Sequence, residues 1–422
     1  MTTVRTFDAL ARRRLGVELG CAAIAATDAR RCTDDALTRL ANDGVQLDGA
    51  VIFAFGKCAR AMVEAATARL RVSRGMAIVA ETAGRFACAP LVVRAGGHPV
   101  PNADAARTGE EVLALARSLG PADVALCLVS GGGSAMLELP VTGVAIDEIA
   151  SITRALLRAG ATIAELNAVR QQLSRLKGGR LAASMNGARV VNVVISDVPG
   201  HAPALVASGP TMIPSDPLDA REIVERYELR GLSSNVHDAL ARDRSAGRDA
   251  SATGPITTVV AADNHTARRG IVAAARERAL EVRDLDGVFA GEARLVGARL
   301  AAHASELLAS SALDGVVWGG ETTVTVVGDG RGGRNEELAL GALDSVGSHL
   351  LVALGTDGVD GTSDAAGAMV DARVRQRAAE LGMDPSDALA RNDADAFFRA
   401  VDTRVVTGPT GTNVADVALV LR

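Results

Sequence analysis

The sequence predicts an α/β fold in two domains, and three observations carry that prediction. Short β-branched apolar runs alternate with longer Ala-, Leu- and Arg-rich segments of helical period, as they do where helices connect the strands of a largely parallel sheet. The length, 422 residues, suits two domains better than one. A polar stretch without periodicity, 242–255, contains Gly, Ser, Asp and Arg and reads as the linker between them.

Taken in order, a first set of strands is expected at 51–55, 77–80, 124–129 and 190–195, and a second at 256–261, 316–318, 322–327, 350–354 and 417–421. That pattern places one α/β domain over 1–245 and another over 256–422. In open α/β sheets ligands gather beyond the carboxyl ends of strands, so the strand-to-loop junctions are where chemistry is expected.

Composition removes several function classes. A formal net charge of −5, with no basic run longer than Arg12-Arg13-Arg14, argues against a nucleic-acid binder. No apolar run approaches the length of a spanning helix, and residues 1–14 carry charges where a signal peptide needs its apolar segment. The five cysteines lack CxxC spacing and the six histidines lack HxxxH or HExxH spacing. Neither a disulfide framework nor a zinc site is supported, and a reduced, cytoplasmic compartment is the expectation. All but two of the 45 basic residues are Arg. The exceptions, Lys57 and Lys177, draw attention because a compact ammonium does work that a guanidinium does not.

Each junction offers a polar group beside glycine. Phe55-Gly56-Lys57 ends a strand and opens a helix, presenting N–H groups and an ammonium to an anion; it is not a Walker A loop, since Cys58 follows the lysine. Ser130-Gly131-Gly132-Gly133-Ser134 has more glycine than a tight turn needs and suits a nest of N–H groups around a phosphate or carboxylate. Arg170, Lys177 and Arg180 form a cationic cluster around Gly178-Gly179, although a glycine C-cap with basic residues complementing the helix dipole reads equally well. Asp197 follows a strand directly, a common position for a carboxylate that holds Mg²⁺. Asp357 and Asp360, interleaved with glycine, lack the twelfth-position Glu of an EF-hand and read as a magnesium-binding or proton-accepting pair.

The segment 319–337 is the densest. Gly328, Gly330 and Gly333 satisfy GxGxxG, which raises a rival reading as a nicotinamide-dependent reductase. Arg331 and Arg334 in that loop instead suit a bidentate grip on carboxylate or phosphate. Gly-rich anion cradles, lysine, guanidinium and strand-end carboxylates together are the set that phosphoryl transfer requires.

At these residues the chain resembles the class II glycerate kinases, which carry a C-terminal MOFRL domain. The matching stretches are Phe55-Gly56-Lys57, Gly97-His98-Pro99-Val100-Pro101-Asn102, Ser130 to Ser134, Leu176-Lys177-Gly178-Gly179, Ser196-Asp197-Val198-Pro199-Gly200, Ala207-Ser208-Gly209-Pro210-Thr211, Gly319-Gly320-Glu321-Thr322-Thr323-Val324, Gly333-Arg334-Asn335, the segment Gly355 to Gly361, and Thr407 to Asn413. They span nearly the whole chain in the family's order.

The resemblance implies two α/β domains, the larger a Rossmann-like, mostly parallel sheet and the smaller a MOFRL-type domain, with the active site in the interdomain cleft. It implies phosphorylation of D-glycerate by ATP with Mg²⁺, in this class usually at the C2 hydroxyl to give 2-phosphoglycerate; some relatives carry the label hydroxypyruvate reductase, the NAD(P)H-dependent alternative. Lys57, Arg334 and one of Asp357 and Asp360 match positions regarded as catalytic. Gly56, Ser130, Gly131, Gly132, Gly133, Ser134, Lys177, Glu321 and Asn335 are assigned to substrate or nucleotide phosphate, and Asp197 to the metal. One departure is visible: His201 stands where the family commonly has Asp after Ser196 to Gly200, which leaves Asp197 and other carboxylates to hold the metal. The expected partners are D-glycerate and ATP, with no nucleic acid or membrane, and a homodimer is admitted.

Overall fold

The computed structural model describes residues 8–81, 84, 86–98, 100–200, 203–214, 218–242 and 253–422. Most of the expected linker, together with Pro99 and His201, lies outside these residues. Two compact units emerge, one formed by Ala29–Ala261 and the other by residues 8–28 with Ala262–Arg422.

The first unit holds a six-stranded sheet of β1 (Val51–Phe55), β2 (Arg74–Ala80), β3 (Leu91–Gly96), β4 (Val124–Ser130), β5 (Arg189–Ile195) and β6 (Ile256–Ala262), in the order β3-β2-β1-β4-β5-β6. The pairings of β1 with β2 and β4, β2 with β3, and β4 with β5 are parallel. β1 is buried along its whole length, as its uncharged sequence requires, with Phe53 and Phe55 among the largest enclosed side chains. The strand order reverses between β1 and β4, where Phe55 pairs with Val129, so the loops leaving these two strands emerge side by side.

The second unit holds a mixed sheet of β7 (Val282–Glu292), β8 (Gly315–Thr323), β9 (Leu350–Gly355), β10 (Gly367–Val370), β11 (Arg404–Val405) and β12 (Asp416–Leu421), in the order β11-β10-β9-β12-β8-β7. β12 runs antiparallel to both neighbours, which sets its first residue, Asp416, opposite Gly320 in the second half of β8 and Gly355 at the end of β9.

Three differences from the sequence reading matter. The strand expected to open the second domain, 256–261, is the edge of the first sheet as β6. The two short strands expected at 316–318 and 322–327 are a single strand, β8, that stops at Thr323. The helix Ala9–Ala26, which a linear division assigns to the first domain, packs in the second unit. There Arg13 forms a two-bond pair with Asp371, at 2.8 and 2.6 Å, and the hydroxyl of Thr412 donates to the carbonyl of Thr27 at 2.6 Å. Among the described residues all five cysteines are free thiols, and no helix is long and apolar enough to cross a membrane.

Candidate active site

In the parallel-sheet unit the loops after β1 and β4 interlock. The backbone N–H of Lys57 donates to the carbonyl of Gly131 at 2.8 Å, and the N–H of Cys58 to the Ser130 hydroxyl at 3.0 Å. Ser130 is therefore a buried staple between the two turns rather than a group offered to a ligand. Contact here is too close for side chains. A Cβ on Gly56 would lie 2.4 Å from the Ser130 carbonyl, and one on Gly131 would lie 1.7 Å from a carboxylate oxygen of Asp197. Gly132, at φ +80°, faces the Lys57 stem and the His98 ring, and Gly133 leads into the short helix Gly133–Met136. Lys57, Gly131, Gly132, Gly133 and Asp197 are thus assembled at the point where the strand order reverses.

The far end of the same loop is tied down by hydroxyls. Ser134 and Ser208 share a hydrogen bond of 2.7 Å, and Ser208 donates to Asn167 at 2.6 Å. Ala207 and Ser208 both hold left-handed backbone, φ +52° and +60°, which costs non-glycine residues roughly 1 kcal/mol each. Gln171 and the N–H of Gly178 each donate to the Ser208 carbonyl at 3.1 Å and keep that turn in place.

Lys177 is not part of this surface. Its side chain is fully buried, with the ammonium on the Glu138 carboxylate and, at 3.1 Å, on the Leu137 carbonyl. Burial lowers its pKa and Glu138 opposes the shift. The phosphate-binding role assigned to it gives way to a structural ion pair, because an ammonium enclosed on all sides has no face left for a ligand.

In the mixed-sheet unit Arg334 opens the helix Arg334–Ala342 and is gripped from two sides. Its Nε and Nη2 donate to both oxygens of buried Asp416, at 2.6 and 3.0 Å, and Nη1 donates to Glu321 at 2.6 Å. Burial acts against the cation, but Asp416 and Glu321 outweigh it and raise the pKa. Asp360 caps the same helix, accepting from the backbone N–H of Asn335 at 3.0 Å and of Glu336 at 2.8 Å. Burial pushes its carboxyl up to about 6 even though those N–H groups favour the anion. Asp357 is only half-buried. A Cβ on Gly355 would lie 3.3 Å from each of the Asn335 amide, Asp357 and Asp416, so these three polar groups converge on one glycine.

Sequence reasoning missed Asp416, which is central to this arrangement. Its only signal is a lone Asp heading the last apolar run. Glu336 was missed too: enclosed with Asp360 and Asp395, its carboxyl is pushed up to about 8, first by burial and then by its acidic neighbours.

The dinucleotide fingerprint fails structurally. Cβ atoms on Gly328 and Gly330 would lie 2.2 Å from the Arg391 carbonyl and 2.5 Å from Asp393, and one on Gly333 would lie 2.3 Å from Asp360. These glycines admit other parts of the protein, whereas the fingerprint needs them to admit a pyrophosphate.

Among the described residues no group of three or more His, Cys, Asp and Glu side chains is arranged to hold a metal alone. Magnesium bound with phosphates needs only one or two protein carboxylates, and Asp197 against Gly131 meets that requirement.

A family model described as a domain of unknown function, DUF4147, matches residues 17–241, and the MOFRL family model matches 315–416. D-glycerate 2-kinase of Thermotoga maritima is 33% identical over 98% of this chain and 99% of its own length. A protein of Agrobacterium vitis named "Putative hydroxypyruvate reductase" is 40% identical over 77% of this chain and 86% of its own. The crystal structure of glycerate kinase from Thermotoga maritima matches with a TM-score of 0.86 at 32% identity, covering 98% of this chain and 99% of that one.

Proposed function

Because the chain belongs to the glycerate kinase family with a C-terminal MOFRL domain, we propose that it transfers the terminal phosphoryl group of ATP to the C2 hydroxyl of D-glycerate, giving 2-phosphoglycerate and ADP. The observation that carries this reading is the interlocked pair of loops at the β1/β4 switch point, where Lys57 and the Gly131–Gly133 turn lie together with Asp197.

Phosphoryl transfer is governed by positioning and charge neutralisation. Lys57 neutralises oxygens of the group in transit, and the glycine turn supplies N–H donors that hold an anion without a side chain in the way. Arg334 keeps the catalytic role the resemblance implies, as a guanidinium whose position Asp416 and Glu321 fix and whose charge they offset. Asp357 accepts the proton of the attacking hydroxyl; Asp360 is assigned to capping the helix that carries Arg334, since both its oxygens already accept backbone hydrogen bonds. Mg²⁺, when bound, supplies neutralising charge between phosphates, and Asp197 is the residue that would hold it. The same reading makes the protein a cytoplasmic enzyme of small molecules, without nucleic acid or membrane as partner, and admits a homodimer.

The test is a pair of assays on the purified protein. D-glycerate with MgATP should release ADP in a coupled assay, and hydroxypyruvate with NADH should leave the absorbance unchanged. NADH consumption without ADP release would replace the kinase with the reductase.

A further inference from the structure

Arg170 is a buried cation that the roles assigned above do not use. It lies in the last turn of the helix Ile163–Gln172, where a basic residue ordinarily faces water and complements the helix dipole. Here the residue is only 8% exposed, and its hydrogen bond runs from Nη1 to the Ser134 hydroxyl at 3.4 Å, at the end of the triglycine turn. No carboxylate lies within ion-pair distance of it among the described residues. The nearest acidic group to influence it, Glu138, is already taken: one oxygen meets the Lys177 ammonium and the other accepts from the backbone N–H of Leu139 at 2.9 Å.

Arg170 is therefore a buried positive charge that Glu138, already paired with Lys177, does not neutralise. Burial lowers the Arg170 pKa to about 10, so the side chain is still protonated at neutral pH. An enclosed charge without a counter-ion is costly, and since an arginine does not shed its proton at neutral pH, a bound anion is the partner that relieves the cost. The setting is also prepared for one. The Ser134 hydroxyl that meets the guanidinium is anchored by Ser208, 2.7 Å away, which lies in a left-handed turn and donates to buried Asn167.

We infer that Arg170, positioned by its hydrogen bond to Ser134, seats the carboxylate of the substrate. A planar guanidinium matches a carboxylate's two oxygens. The glycine turn then divides its work: Gly131 and Gly132 face Asp197 and Lys57 at one end, and Ser134 faces Arg170 at the other. This inference rests on the kinase reading for the identity of the acid.

The experiment separates the two. Calorimetric titration of D-glycerate, of uncharged glycerol and of ADP into wild type, Arg170→Met and Arg170→Lys is made alongside steady-state KM values for D-glycerate and ATP. Arg170→Met should weaken D-glycerate binding about 10- to 100-fold. Glycerol and ADP affinities and the KM for ATP should stay within about twofold of wild type. Arg170→Lys, which keeps the charge but loses the fork, should fall between. Guanidinium ion added to Arg170→Ala should restore part of the D-glycerate affinity while leaving the ADP affinity unchanged. Unchanged D-glycerate affinity in Arg170→Met, equal weakening of glycerate and glycerol, or a loss confined to ADP and ATP would each overturn the inference. A wild type that binds D-glycerate without releasing ADP would sink the kinase reading and leave the carboxylate seat standing.

Discussion

At Gly56 and Gly131 of the parallel-sheet unit the polar centre is made by absent side chains: a Cβ would strike the opposite loop or the Asp197 carboxylate. In the mixed-sheet unit it is made by side chains that hold one another, Arg334 between Asp416 and Glu321, and Asp360 under the helix that carries Arg334. The first region keeps backbone N–H groups and a surplus cation available; the second neutralises its cation with carboxylates and leaves acid in excess. An anion is the natural guest of one and a hydroxyl losing its proton the natural guest of the other. The difference teaches that motifs equally rich in glycine and charge on paper can have opposite electrostatic characters once folded.

The largest effect that would sharpen this contrast is at Lys57. Lys57→Ala should lower kcat about 1,000-fold while the melting temperature stays near wild type; turnover within a few-fold of wild type would remove Lys57 from the chemistry. The other lysine should behave in the opposite way. Lys177→Met leaves Glu138 buried without its ammonium and should cost about 3–4 kcal/mol in urea unfolding, with little change in the KM for ATP. A large rise in that KM without loss of stability would return Lys177 to the phosphate site.

Next comes the clamp on Arg334. Asp416→Asn removes the buried anion that aims the guanidinium and should lower kcat/KM about 100-fold; near-wild-type kinetics would show that Glu321 suffices. The smallest effect concerns pH. A carboxyl raised in the folded state keeps a proton that the unfolded chain has lost. The Glu336 carboxyl, raised from its ordinary 4.5 to about 8, should therefore make stability fall as pH rises through that window. Glu336→Gln should flatten the decline by about 1 kcal/mol or more in denaturation curves taken from pH 5 to 8. An unchanged slope would show that Glu336 is ionised throughout.

The sequence was most legible where structure is local. Junctions after buried strands announced themselves through Gly56-Lys57 and the glycine triplet, because a loop that must pass closely under another chain leaves its glycines in the sequence. That these two junctions are neighbours follows only from the strand order, which no local signal contains. β3 and β7 escaped because they are half exposed: β3 carries Arg94, and β7, at the sheet edge with a register shift between Asp284 and Val288, carries charge and glycine in place of clean alternation. Asp416 escaped because a lone Asp before a strand looks like a turn residue until β8 and β9 are laid on either side of it. Lys177 misled for a related reason, since rarity of a residue type marks a special environment without saying whether it faces a ligand or, as here, a buried carboxylate.

The most direct test of the central claim is the product itself. ³¹P and ¹H NMR of a reaction containing the wild-type protein, D-glycerate and MgATP should show ADP and 2-phosphoglycerate growing together in equal amounts. Absence of any phosphoglycerate, with ATP left intact, would contradict the account.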